Sequence, residues 1–182
     1  MIKSNFEISI LNLYWMKNMP EQIDRCAHGN VKITIGEKII VDQLPNNDDW
    51  TLSAMALHLL RTLETDHLPE DKVGDHLIPH CGFNFGYLQG EEEVYIYGCF
   101  EGINYWVKHY NDRVKLRAEH GTEIDILFED YKTEVLRFAD QVKAFYDMSK
   151  PKALPEDEYD REGYELFWKE WNRRRKKWII YT

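Results

Sequence analysis

The amino-acid sequence predicts an α+β fold in which a mostly antiparallel sheet packs against a central helix and two C-terminal helices. Over residues 5–41 and 93–127, apolar residues alternate with polar ones in short runs, which is the period of half-buried strands. Three other stretches repeat their apolar residues every three or four positions, which is the period of helices. A chain of 182 residues has the size of one domain, so these elements are expected to share one core.

The strands are expected to pair with their sequence neighbours. Val31, Ile33 and Ile35 alternate with polar residues, and Gly36 then supplies the positive φ that a two-residue type II′ loop needs. This predicts an antiparallel hairpin. Residues 93–127 show the same alternation between turn residues and are predicted to form a β-meander. Residues 67–92 are expected to be rich in loops, with one strand around residues 83–88.

Residues 50–66 are predicted to form the central helix. The acidic pair at 48–49 offers a carboxylate that can cap the first free amides of this helix. Its apolar residues cover most of its surface, as in helices that lie across a sheet inside a core. The residues expected to face solvent are Thr51, His58, Arg61, Thr62 and Thr65.

Two more helices are predicted at 129–148 and 156–178, separated by two prolines. The second contains the stretch FWKEWNRRRKKW, with three tryptophans among six basic residues. Its aromatic residues share one face and its basic residues complement the helix macrodipole, which favours a helix docked on the core. The alternative is a basic amphipathic helix that binds a membrane surface, an acidic partner or a nucleic-acid strand.

The net charge of −9 and the isoelectric point near 5.3 disfavour nucleic acid as a partner and favour a basic protein. No apolar run reaches the roughly 20 residues of a transmembrane helix, and no secretory signal is evident. Three cysteines without paired spacing suit reduced thiols, so a cytoplasmic protein is expected. Exposed hairpin edges could pair two chains, but nothing in the sequence requires it.

A metal site is one candidate chemistry. Thiolate sulfur and imidazole nitrogen are the ligand types that tetrahedral zinc takes. The spacing departs from zinc fingers and ribbons, and adjacent residues on a strand point to opposite faces, so only one of His80 and Cys81 is expected to enter a given site. The competing expectation is no cofactor, with buried structural cysteines and surface histidines. The candidate ligands are Cys26, His28, His80, Cys81 and Cys99.

A cysteine nucleophile is a second candidate chemistry. Cys81 would attack, with His76 or His80 as its base and Asp75 or Asp66 to orient that base. Phosphate-binding glycine loops, a serine-hydrolase elbow and the helical histidine pair of zinc proteases do not occur in the sequence.

Four stretches of the sequence carry a resemblance to known proteins: CAHGNVKITIG, WTLSAMALHLLRTLETDH, HCGF and FADQVKAFYDMSKPKALPEDEYDREGYELFWKEWNRRR. Together they resemble small, uncharacterised soluble proteins of Gram-positive bacteria. The likeness extends over most of the chain and implies neither an activity nor a site residue.

Together with the acidic charge, this resemblance predicts a non-catalytic protein of the immunity or antitoxin type that binds a basic partner. The alternative is a zinc- or cysteine-dependent enzyme that uses residues 26–28, 66–82 and 99.

Overall fold

The computed structural model describes residues 6–42, 50–82 and 84–179 and has the predicted α+β architecture. Antiparallel strands form four small sheets, and three helices pack against them. The helices are α1 Leu52–Arg61, α2 Phe128–Asp147 and α3 Glu158–Lys176. The strands are β1 Phe6–Tyr14, β2 His28–Ile35, β3 Lys38–Asp42, β4 Trp50–Thr51, β5 Ile78–Pro79, β6 Asn84–Gly86, β7 Tyr95–Tyr97, β8 Gly102–Ile103, β9 Tyr105–Tyr110, β10 Arg113–Ala118 and β11 Glu123–Leu127.

The largest sheet is built on β2, which pairs with β1 on one side and with β3 and β4 on the other. The predicted hairpin between β2 and β3 is confirmed, with Ile35 opposite Lys38 and a φ of 62° at Gly36. This positive φ is the reason that glycine occupies the first turn position.

The predicted meander over 93–127 is only partly correct. β9, β10 and β11 do form a three-stranded meander, but β7 pairs with β6 and β8 pairs with β5. β6 lies within the one strand that was expected in the loop-rich segment, around residues 83–88, whereas β5 was not expected. β5 has only two residues, which is too short to leave a periodic pattern, so only its pairing with β8 defines it.

The central helix is shorter than the predicted range 50–66. Trp50 and Thr51 pair with β2 as strand β4, and Thr51 takes the N-cap position without a side-chain capping hydrogen bond. The predicted cap at residues 48–49 lies outside the described residues.

All ten residues of α1 are buried, which confirms its central place in the core. Its expected solvent face is wrong, because Thr51, His58, Arg61 and Thr62 are buried and only Thr65 is exposed. The physical reason is that α2, α3, β2 and β5 all pack against this helix, so no side of it is left for water.

The aromatic stripe of α3 docks on the core, as predicted. Phe167 and Trp171 are fully buried or nearly so, and the ring of Phe85 from β6 packs against Phe167 with centroids 4.8 Å apart. Two basic residues at or just beyond the end of α3 form ion pairs within the chain: Arg175 binds Asp140 of α2, and Lys177 binds Glu64. Arg174 is buried.

Within the part of the chain that the structure describes, none of the helices has the length and apolar character needed to cross a membrane.

A buried carboxylate joins α3 to the rest of the core. Glu170 is fully buried and accepts four hydrogen bonds of 2.8 Å, two from Arg61, one from Arg174 and one from the amide of Val94. Arg61 also donates to the carbonyl oxygens of Val73 and Val94. Burial alone would raise the pKa of Glu170, but the hydrogen bonds and charges of Arg61 and Arg174 outweigh it and lower this pKa.

We expect Glu170→Gln to lower the free energy of unfolding by about 3–5 kcal/mol at neutral pH, because it leaves the buried guanidinium of Arg61 without the carboxylate that pairs with it and removes one of the three carboxylates that pair with Arg174. Urea unfolding measures this change. The matched control is Asp140→Asn at the half-exposed pair with Arg175, which should cost about 1 kcal/mol or less.

The effect of Glu170→Gln should also depend on pH. A carboxyl whose folded-state pKa is depressed stabilises the fold above its unfolded-state pKa of about 4.3, and this stability disappears as the pH falls through the folded-state value. The difference between wild type and variant should therefore shrink below about pH 4. Equal losses for Glu170→Gln and Asp140→Asn would contradict the assigned role.

Candidate functional site

The pairing of β5 with β8 brings two distant segments of the chain together. Ile78 lies opposite Ile103 and Pro79 opposite Gly102, and the amide of His80 then donates to the carbonyl of Glu101 at 3.1 Å. Beyond Pro79 the chain leaves the strand. His80 and Cys81 are thus free of strand alternation, and both side chains reach the same neighbour, Cys99.

His80, Cys81 and Cys99 form a compact group, called here the thiol–imidazole cluster. Nδ1 of His80 lies 3.3 Å from Sγ of Cys81 and 3.3 Å from Sγ of Cys99, and the three potential ligand atoms all lie within 4.8 Å of one another. The expectation that only one of His80 and Cys81 could enter a site is wrong, because it assumed that both residues lie on a strand.

Close backbone packing holds the cluster in place. A Cβ atom at Gly98 would lie 2.3 Å from the carbonyl oxygen of Cys81, so only glycine permits this approach. The hydroxyl of Thr51 donates to the carbonyl of His80 at 3.2 Å, and the ring of Trp50 packs edge-on against the imidazole. The cluster therefore lies on a constrained backbone.

The two thiols of the cluster have opposite pKa shifts. Partial desolvation opposes the ionisation of Cys99, but hydrogen bonds to its sulfur from Cys81, Glu101 and His80 outweigh it and lower its pKa to about 7. Desolvation, followed by the hydrogen bond to Cys99, raises the pKa of Cys81. The pair thus favours one thiolate, on Cys99, which is also the more exposed of the two.

The other two predicted metal ligands, Cys26 and His28, lie outside the cluster. Cys26 is buried, its thiol donates to the carbonyl of Gly82 at 3.6 Å, and burial raises its pKa. His28 faces Asp24, with Nε2 and Oδ1 3.4 Å apart. The predicted five-residue site is therefore corrected to three residues, since the fold places Cys26 in the core and directs His28 to its own carboxylate.

The predicted nucleophile is only partly assembled. His80 is close enough to act as a base for Cys81, whereas the ring of His76 packs against Gly102. Asp66 binds His109 at 2.7 Å and so does not orient a base beside Cys81. Among the described residues, no carboxylate is within hydrogen-bonding distance of the His80 ring. The geometry therefore gives a thiol–imidazole pair without the third, orienting group.

An exposed surface, called here the acidic–aromatic face, adjoins the cluster. It comprises the exposed side chains of residues 87–101 and 156–162. These two segments are neighbours because Gly163 of α3 packs on Phe85 of β6. Tyr97 and Tyr159 hydrogen-bond across the two segments, and this bond raises the pKa of Tyr97. The exposed large apolar residues on this face are Leu88, Tyr95, Tyr97, Phe100 and Tyr159.

These residues are exposed to an unusual degree for their size. Tyr95, Tyr97 and Tyr159 have 46–54% of their surface in solvent, and Phe100, which directly follows Cys99, is fully exposed. Exposed apolar residues that are grouped and rimmed by polar groups mark interaction sites more often than scattered ones do.

Much of the negative charge of the chain lies in the two segments of this face. Residues 87–101 hold four acidic and no basic side chains, and residues 156–162 hold five acidic and one basic, which gives a balance of −8 for these segments against −9 for the chain. Two cations of α3 offset part of this charge, because Arg173 pairs with Glu92 and Arg174 pairs with Glu93. In the described part of the chain, Glu91, Glu101, Glu156 and Glu158 form no ion pair. These carboxylates therefore remain available to an incoming cation.

A cavity of about 340 Å³ opens beside Tyr95. Its lining includes the apolar side chains of Val73, Leu88 and Ile96, the acidic residues Asp75, Glu91 and Glu93, and the basic residues Arg61 and Lys72. The apolar part of the lining can accommodate the stem of a long side chain, whereas the charges of both signs around it select neither a cation nor an anion.

Sequence analysis predicted acidic surface loops but not the aromatic residues among them. A signal was present: in the run from Val94 to Tyr97 both faces are apolar, whereas a strand that covers a core from one side alternates with polar residues. The structure buries Val94 and leaves Tyr95 and Tyr97 exposed, so the second apolar face is the one that meets solvent.

In metal-free protein, Cys99 should react with iodoacetamide with a midpoint near pH 7, and His80→Ala should raise that midpoint because one hydrogen bond to the thiolate is lost. Mass spectrometry of the alkylated peptides measures each thiol separately. Cys26 serves as the internal control and should stay unmodified until the protein unfolds. A Cys99 midpoint at the ordinary value of about 8.5 would contradict the cluster geometry.

Comparison with known proteins gives no family assignment: no protein-family model matches the chain, and no curated protein or solved structure matches it. The resemblance to small proteins of Gram-positive bacteria therefore stays a prediction, and any function must be argued from the site itself.

Proposed function

We propose that the protein is a non-catalytic binding protein of the immunity or antitoxin type, which captures a basic protein partner on the acidic–aromatic face. One observation carries the proposal: four exposed aromatic side chains lie within the two segments that hold nearly all of the net negative charge. Aromatic anchors and a charged rim are the two components of a specific protein interface.

The aromatic residues would supply the binding free energy. Transfer of apolar surface out of water contributes about 25 cal/mol per Å², and aromatic side chains are among those that most often dominate measured interface energies. Phe100 has its whole ring available for burial, and the tyrosines about half of theirs. The tyrosine hydroxyls can keep hydrogen bonds at the edge of such an interface.

The carboxylates would select the partner. A concentration of negative charge attracts a basic surface over about one Debye length and raises the association rate, and it repels acidic proteins and nucleic acid. Because Arg173 and Arg174 pair with only two of the nine carboxylates in these segments, the face keeps a net negative charge. A basic partner would therefore arrive already oriented.

The cavity beside Tyr95 gives the proposal a specific contact. A long side chain of the partner can lay its stem along Val73 and Ile96, where the lining also carries the acidic Asp75 and Glu91 and the basic Lys72. Contact of a cation with the Tyr95 ring would add about 0.5–2 kcal/mol.

A cytoplasmic location belongs to the same proposal and is supported by three free cysteines, two of which have their thiols close together.

The test is site-specific photo-crosslinking in the source cells followed by binding measurements with the purified captured protein. A benzophenone side chain at position 100 should capture a basic protein, and the same group at the exposed position 148 should not. With purified components, the dissociation constant should rise by about tenfold or more in each of the variants Phe100→Ala, Tyr97→Ala and Glu91→Lys.

The matched controls are Met148→Ala and Glu119→Lys, which change an exposed apolar and an exposed acidic residue away from this face and should leave affinity unchanged. Added salt should slow association in the wild type, and less so in Glu91→Lys. Equal capture from positions 100 and 148, or full affinity in the face variants, would refute the proposal.

A further inference from the structure

We propose that His80, Cys81 and Cys99 bind one zinc ion, with a fourth coordination position open to solvent. This site shares the exposed Cys99 with the acidic–aromatic face, but it needs no partner, so the zinc proposal does not depend on the partner-binding proposal. The inference depends on the convergence of one imidazole and two thiols from segments that lie 18 residues apart in the sequence, between Cys81 and Cys99.

The ligand atoms already have nearly the spacing that the ion requires. Zinc–sulfur bonds of about 2.3 Å and zinc–nitrogen bonds of about 2.0–2.1 Å in tetrahedral geometry place neighbouring ligand atoms about 3.5–3.8 Å apart. The distances from Nδ1 of His80 to the two sulfur atoms are 3.3 Å. The two sulfur atoms lie within 4.8 Å of each other, so rotation of the thiol side chains would bring them to the spacing that the ion requires.

The ligand types select the metal. Two thiolates and one imidazole suit zinc, whereas magnesium and calcium require oxygen ligands. The ion would displace the thiol protons, which pass to solvent. Because three protein ligands leave one tetrahedral position for water or another ligand, the coordination is of the open type and not of the closed four-ligand structural type.

The surroundings favour a preformed site. The contact of Gly98 with the Cys81 carbonyl and the hydrogen bond from Thr51 to His80 hold both ligand-bearing segments before any ion arrives. Cys99 is exposed, so an ion can enter from solvent while the core stays closed. A site of this kind would lose little conformational entropy on binding.

The test is titration of the chelator-treated full chain with cobalt(II), which binds at zinc sites. Cobalt(II) gives a near-ultraviolet charge-transfer band when thiolates coordinate it. We expect one cobalt per chain, full displacement by zinc, and a change in the visible cobalt bands when imidazole is added, since it occupies the open position. Each of Cys81→Ser, Cys99→Ser and His80→Ala should weaken zinc binding by about 100-fold or more, because even loss of a neighbour that only orients a ligand costs 10–100-fold.

Cys26→Ser and His28→Ala are the controls, since they remove a thiol and an imidazole that lie outside the cluster, and both should bind zinc as the wild type does. Circular dichroism confirms that each variant is folded. Absence of a charge-transfer band in the wild type, or unchanged affinity in Cys99→Ser, would overturn the proposal. The isolated chain is used throughout, so failure here leaves the partner-binding proposal standing, and the reverse also holds.

Discussion

The burial of one carboxylate, Glu170, is the constraint on which most of the structure depends. An unpaired charge in a protein interior costs several kcal/mol, so the side chains that neutralise it must assemble together. Arg61 comes from α1, Arg174 from α3 itself, and the amide of Val94 from the chain just before β7. If any one of these elements left the core, a polar group of the others would remain buried without its partner.

The same contacts determine where the exposed tyrosines and Cys99 lie. Both the amide and the carbonyl of Val94 are bound, by Glu170 and Arg61 respectively, and the next residues are the exposed tyrosines of β7. Three residues after β7 begins, Gly98 packs on Cys81 and fixes the position of Cys99. A single stretch of backbone, anchored at its start by a buried ion pair, thus carries one segment of the acidic–aromatic face and one of the three residues of the thiol–imidazole cluster.

The elements that sequence analysis placed correctly are those whose periodicity extends over several turns or strand residues, such as α2, α3 and the hairpin at Gly36. The failures have local causes. Arg61 was assigned to solvent because its partner, Glu170, is 109 residues away and leaves no trace in a helical pattern. His80 and Cys81 were assigned to opposite faces because β5 ends at Pro79, a boundary that only its pairing with β8 defines.

The two hydrogen bonds that hold the backbone of Val94 also affect the rate at which a partner could associate. A surface that is ordered only on contact loses conformational entropy in the encounter, and its association is slowed by the search for the bound conformation. Here the backbone of the exposed tyrosines is fixed at its origin by interactions in the core. Docking could then proceed as an encounter of rigid bodies, limited by diffusion and electrostatic orientation, and differences in affinity between related partners would arise chiefly from how slowly they dissociate.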